Sequence, residues 1–106
     1  MPKELFVKIR IIIFSFMAIC FASVFAQEKG ELIKNGELIY AKNCSTCHGN
    51  KMKNPQWGFN LELFPVEQKI RFIDSVTYGK NAMPPWEDVL SANEIANIWS
   101  YFLSLR

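Results

Sequence analysis

Between Ile11 and Ala26 the chain carries no charge and is dominated by Ile, Phe, Ala and Val; Lys3, Lys8 and Arg10 precede this stretch, and Gln27-Glu28-Lys29-Gly30 follows it. A basic start, an apolar middle and the short residues at Val24-Phe25-Ala26 predict a secretory signal peptide over residues 1–26, cut after Ala26. The uncharged run is 16 residues long, below the roughly 17–25 that a spanning helix needs, so a retained membrane anchor is the minor alternative. Cys20 follows Ile19 rather than a small residue, which speaks against lipid attachment there.

Downstream the pattern is helical and interrupted. Glu31 to Asn43 sets Leu32, Ile33, Leu38, Ile39 and Tyr40 among charged residues, and Gly36 lets another backbone come close at some cost in propensity. From Asn50 to Pro65, breakers at Pro55, Gly58, Asn60 and Pro65 predict a loop that must lay Trp57, Phe59, Leu61, Leu63 and Phe64 onto an apolar surface. Pro65 suits the first turn of a helix reaching about Tyr78, with Val66, Ile70, Ile73 and Thr77 on one face and Gly79 terminating it. Ser91-Ala92-Asn93-Glu94 is a capping-box pattern, and Ile95, Ile98, Trp99, Phe102 and Leu103 follow at helical spacing. No stretch alternates like a strand and no repeat is present. The predicted class is all-α with three or more helices, and Trp57, Trp86 and Trp99 read first as core residues.

The charge balance adds an exclusion. Twelve Lys plus Arg against ten Asp plus Glu give a formal charge of +2, too weak for a nucleic-acid face. Removing the first 26 of 106 residues leaves 80, with nine basic and nine acidic side chains. A domain this small buries a limited share of its surface and commonly leans on a covalent or metal staple. Export places it in an oxidising compartment, where two free thiols tend to pair unless something else uses them.

Beyond residue 26 the only cysteines are Cys44 and Cys47, and His48 is the only histidine of the chain. Cys44-Ser45-Thr46-Cys47-His48 is a C-x-x-C-H run, the signature of c-type haem attachment. Two thiols three residues apart can add to the two vinyl groups on one porphyrin edge, and the next residue delivers an imidazole to the iron. Three other readings compete. A thioredoxin-like redox pair expects a strand before the motif, a zinc site wants four ligands where three soft ones exist, and a disulfide within the motif gives His48 no role.

With one histidine, ligation by two imidazoles is excluded within the chain, and Met52 and Met83 are the thioethers beyond residue 26. Met52 is four residues from His48, on its side of the ring or at its edge. Met83 lies 35 residues downstream in Tyr78-Gly79-Lys80-Asn81-Ala82-Met83-Pro84-Pro85-Trp86, where glycine and two prolines predict a stiff non-helical loop suited to a weak ligand. The plain alternative for Met83 is an apolar contact.

These residues resemble the monohaem class I cytochromes c, especially the small bacterial type. Besides the motif at Cys44–His48 and the Ala82-Met83-Pro84-Pro85 loop, Gly36 and Tyr40 match a glycine and an aromatic of that family's first helix. Ile98-Trp99-Ser100-Tyr101-Phe102 resembles its last helix, with Tyr101 as the aromatic that packs across the glycine. The family's Gly-Pro after the histidine is replaced by Asn54-Pro55, so the resemblance offers the Pro55 carbonyl as the group that orients the His48 ring. The implied fold is cytochrome c-like, with residues 27–106 wrapped around one covalent haem c held by Cys44 and Cys47 and ligated by His48 and Met83. A Trp57 N–H reaching a haem propionate is a further possibility.

The expected function is single-electron transfer in the periplasm or another exported location, between redox partner proteins such as a dehydrogenase and a terminal oxidase or reductase. It is not an enzyme and engages no nucleic acid, and it touches a membrane only if the signal segment is retained. The alternatives are a haem sensor or peroxidase-like site with a displaceable Met83, or a dedicated haem subunit of a larger complex. Lys42, Lys51, Lys53 and Lys80 stand near the motif or the methionine loop; the plain reading is a solvated surface, and the functional one is a basic ring that steers an acidic partner.

Overall fold

A computed structural model describes residues 2–106. It contains four helices: α1 (Lys3–Asn43), α2 (Ser45–His48), α3 (Lys69–Tyr78) and α4 (Ala92–Ser104), with single 3₁₀ turns at Asn50–Met52 and Leu61–Leu63. No strand forms among the described residues, and Lys80 and Met83 make one isolated antiparallel bridge. The all-α class expected from the pattern is the class observed.

The chain divides into two units, residues 1–31 and 32–106. In the first, α1 exposes its Ile, Phe and Met side chains and is long and apolar enough to cross a membrane, a property it shares with signal sequences.

In the second unit the later part of α1 buries Gly36, Ile39 and Tyr40. A Cβ on Gly36 would lie 1.9 Å from the Asn97 carbonyl oxygen and 3.0 Å from the Ile98 nitrogen, so the backbone of α4 passes directly against this glycine. Tyr101 is buried beside this approach. Its ring pairs with Tyr40 at a centroid distance of 5.6 Å, one turn further along both helices.

Helix α4 begins with the predicted box: Glu94 N–H donates to Ser91 Oγ at 3.1 Å, and Ser91 N–H donates to the Glu94 carboxylate at 3.0 Å. Two of the orphan amides at the helix start are thereby satisfied. Ile95, Ile98, Trp99, Tyr101 and Phe102 are buried. Leu103, expected on the apolar stripe, is 42% exposed, because the core face turns toward Tyr101 instead.

Two further expectations change in the middle of the chain. The third helix starts at Lys69, not at Pro65, which lies in the preceding turn and accepts from Gln68 N–H at 3.2 Å. Its core face is Phe72, with Ile73 and Val76 packed alongside, while Val66 and Ile70 are exposed. Phe72 wins because it enters an aromatic cluster with Phe64, Trp99 and Phe102 at centroid distances of 5.0–5.7 Å, and aromatic rings bury more area than a Val or Ile at the same place. Trp99 is core and Trp86 packs against it, but Trp57 is 85% exposed and lies outside the core.

Candidate functional site

The turn that follows α1 brings three predicted residues together. Cys44 N–H continues the helix by donating to Tyr40 O at 2.8 Å, and Cys44 O then accepts from both Cys47 and His48 N–H at 3.2 and 3.0 Å. This one-turn geometry puts residues i and i+3 on the same side, so the two thiols and the imidazole follow one another around a single helical turn. Cys44 and Cys47 are both free thiols, and no disulfide forms among the described residues. Burial, followed by the proximity of Cys47, pushes the Cys44 thiol up to about 11.

The carbonyl of Cys47 organises what comes next. It lies 3.0–3.2 Å from the amide nitrogens of Gln56, Trp57 and Gly58, all three of which donate to it, so the loop folds back onto the attachment turn. The fold-back sets Phe59 O 2.9 Å from His48 Nδ1. A carbonyl only accepts, so Nδ1 carries the proton and the lone pair is left on Nε2. Phe59, and not Pro55, orients the ring, because the turn around Cys47 O begins after Pro55. Gly58 makes the contact possible: a Cβ there would sit 2.7 Å from both Nδ1 and Cε1 of His48.

Met83 stands in a separate, firmly anchored turn. Lys80 and Met83 exchange backbone hydrogen bonds of 3.1 and 3.0 Å, with Asn81 at positive φ between them. Gly79 ends α3 at φ +79°, and a Cβ there would meet Met83 O at 2.8 Å and Pro85 N at 2.9 Å. Beyond the prolines, Trp86 N–H donates to Val76 O at 3.0 Å, tying the segment back to α3. Met83 is half-buried, whereas Met52 is 3% exposed within the core.

The donor set fits an iron already held in a porphyrin: two free thiols for covalent attachment, and one imidazole with its tautomer fixed by a carbonyl and its ring cradled on a glycine. No three His, Cys, Asp or Glu side chains converge on a point that would hold a bare metal ion among the described residues. Sequence reasoning missed Gly58 and Phe59 as the support of His48. The signal available was the glycine ten residues after the histidine.

Residues 31–102 match the family model described as cytochrome c oxidase, cbb3-type, subunit III. Among curated relatives, cytochrome c6 of Petalonia fascia is 35% identical over 78 residues, covering 68% of this chain and 91% of the relative. Cytochrome c6 of Pyropia yezoensis is 33% identical over 99 residues, covering 87% and 86%, and that of Porphyra purpurea 34% over 98 residues, covering 86% and 84%. No solved structure matches significantly. The chain belongs to the cytochrome c family, as a monohaem class I c-type cytochrome. It carries a covalently bound haem c and acts as an electron carrier that meets redox partner proteins, not as an enzyme.

Proposed function

We propose that the chain is an exported cytochrome that passes single electrons between a periplasmic dehydrogenase and a terminal oxidase or reductase. In this reading residues 1–26 are the signal peptide, Cys44 and Cys47 form the thioethers, and His48 and Met83 are the axial ligands. The observation that carries it is the 2.9 Å hydrogen bond from His48 Nδ1 to Phe59 O, which frees the Nε2 lone pair for a metal. The haem supplies a one-electron ferrous–ferric couple.

The polypeptide holds its ligands still. His48 is pinned by a carbonyl and a glycine, and the turn carrying Met83 is tied down at Lys80 and at Trp86. A thioether ligand favours the ferrous state relative to a second imidazole, so Met83 raises the potential. Met52 is committed to the core, which supports Met83 as the methionine available. Cytochrome c6 relatives are matched over about nine-tenths of the first relative's length; this supports a carrier of one haem, although the family description names an oxidase subunit.

The test is absorption spectroscopy of the chain matured in a bacterium that attaches haem c in its periplasm. Haem that resists acid-acetone extraction, together with the far-red ferric band of methionine ligation that Met83→Ala abolishes, is the expected result. Extractable haem overturns the attachment, and ready carbon monoxide binding to the ferrous protein at neutral pH overturns the six-coordinate carrier.

A further inference from the structure

Arg106 lies just beyond the last turn of α4 and makes more polar contacts to distant backbone than any other side chain described. Its Nη1 donates to Glu62 O at 2.7 Å, and its Nη2 donates to Leu61 O at 2.8 Å and Phe64 O at 2.6 Å. The guanidinium also lies over the Phe102 ring, 4.8 Å from its centroid. All three carbonyls belong to the 3₁₀ turn Leu61–Leu63 and its exit. Carbonyl ends of a short turn are electron-rich and incompletely satisfied from within. A planar fork of N–H donors can serve several of them at once, which a lysine ammonium on a flexible stem does not do with the same geometry.

That turn is coupled to the haem ligand by two links. Asn60 Oδ1 accepts from Glu62 N–H at 3.1 Å, capping the turn. The peptide group preceding Asn60 is the one whose carbonyl, Phe59 O, accepts from His48 Nδ1 at 2.9 Å. Phe64 and Leu61 anchor the far end of this segment in the core, whereas Trp57, Phe59 and Leu63 do not enter it; the backbone between is held by hydrogen bonds at Cys47 O on one side and at Arg106 on the other.

We propose that Arg106 is a positioning residue for His48: by clamping the Leu61–Phe64 carbonyls it fixes the Phe59 carbonyl, and through it the electron donation of the imidazole to iron. The proposal rests on His48 being an axial ligand. A firm Nδ1–H···O=C bond gives the ring partial imidazolate character, which favours ferric iron; loosening it raises the reduction potential.

The experiment compares the wild-type holoprotein with Arg106→Gln and Arg106→Lys. It uses potentiometric titration, proton NMR of the diamagnetic ferrous state to follow exchange of the His48 Nδ1 proton, and thermal unfolding as the measure of general damage. Arg106→Gln is expected to shift the potential upward and to speed Nδ1 proton exchange several-fold, with Arg106→Lys in between because it keeps the charge and loses the fork. A lowered thermal midpoint with potential and exchange unchanged makes Arg106 a clamp for stability only and overturns the proposal. Should Arg106→Gln fail to mature, Arg106→Lys decides alone, and a potential equal to wild type overturns it. If the wild-type ferrous spectrum lacks the resonances of an iron-bound imidazole, the ligation reading falls and this proposal with it. A bound imidazole that ignores Arg106 sinks only the proposal.

Discussion

Replacing Gly36 by alanine sets two physical effects of opposite sign against each other. Alanine is the better helix former by about 1 kcal/mol, and Gly36 lies inside α1, so propensity alone argues for a more stable protein. Packing argues the reverse. The new Cβ would lie 1.9 Å from Asn97 O and 2.5 Å from Asn97 C, where ordinary contact begins at 3.4 Å. Both atoms are backbone of α4, so no side-chain rotation relieves the overlap, and the two helices must part by about 1.5 Å. Parting them loosens the Tyr40–Tyr101 pair and the buried Ile98 and Trp99. Overpacking of this kind costs about 3 kcal/mol, or more where backbone has to move. The net is a loss of about 2 kcal/mol, which in a domain of this size lowers the melting temperature by roughly 8–16 °C. Thermal unfolding of the oxidised holoprotein, followed by far-ultraviolet circular dichroism, reads this directly. An unchanged or raised midpoint would refute the close approach of α4 to Gly36.

Tyr40→Phe removes the 2.6 Å hydrogen bond that the phenol donates to Gly49 O and is expected to cost about 1–2 kcal/mol, measured by denaturant unfolding at pH 7. Burial holds the Tyr40 phenol above its ordinary value of 10. The folded state therefore keeps a proton that the unfolded chain releases, and this stability, fully present below pH 10, declines as pH rises further. Tyr101 is also raised, by burial and then by Glu37, so Tyr40→Phe should flatten the decline without abolishing it; an identical slope counts against burial of Tyr40. Lys51 and Lys53 are exposed and line an open polar cleft with Ser45 and Thr46 of the attachment turn. If they steer an acidic partner, changing both to Glu slows association most at low ionic strength in stopped-flow measurements, and a salt-independent rate assigns them to ordinary surface. Ser91→Ala breaks the capping box and is expected to lower stability by about 1 kcal/mol, with the haem spectrum unchanged.

The attachment motif, the tethered methionine loop, the all-helical class and the capped last helix are properties of short stretches of chain, and short stretches are what sequence reports. Cys44, Cys47 and His48 need only one helical turn to stand together, and Ser91 finds Glu94 within the same turn. Three-dimensional competition decided the rest. Helical spacing made Val66 and Ile70 look like a core face, yet Phe72 took that role because three other aromatic rings were waiting for it from Phe64 and α4. The family resemblance offered the Pro55 carbonyl, yet three amides converging on Cys47 O turned the chain so that the Phe59 carbonyl met His48 Nδ1. Gly36 announced that some backbone comes close, and only the folded chain named Asn97. Arg106 carried no sequence signal at all, since its partners are carbonyls more than forty residues away, and carbonyls are common to every residue. Helical class, capping and one-turn spacing, written in side-chain identity and local pattern, were legible in one dimension; support built from backbone groups brought together by folding was not.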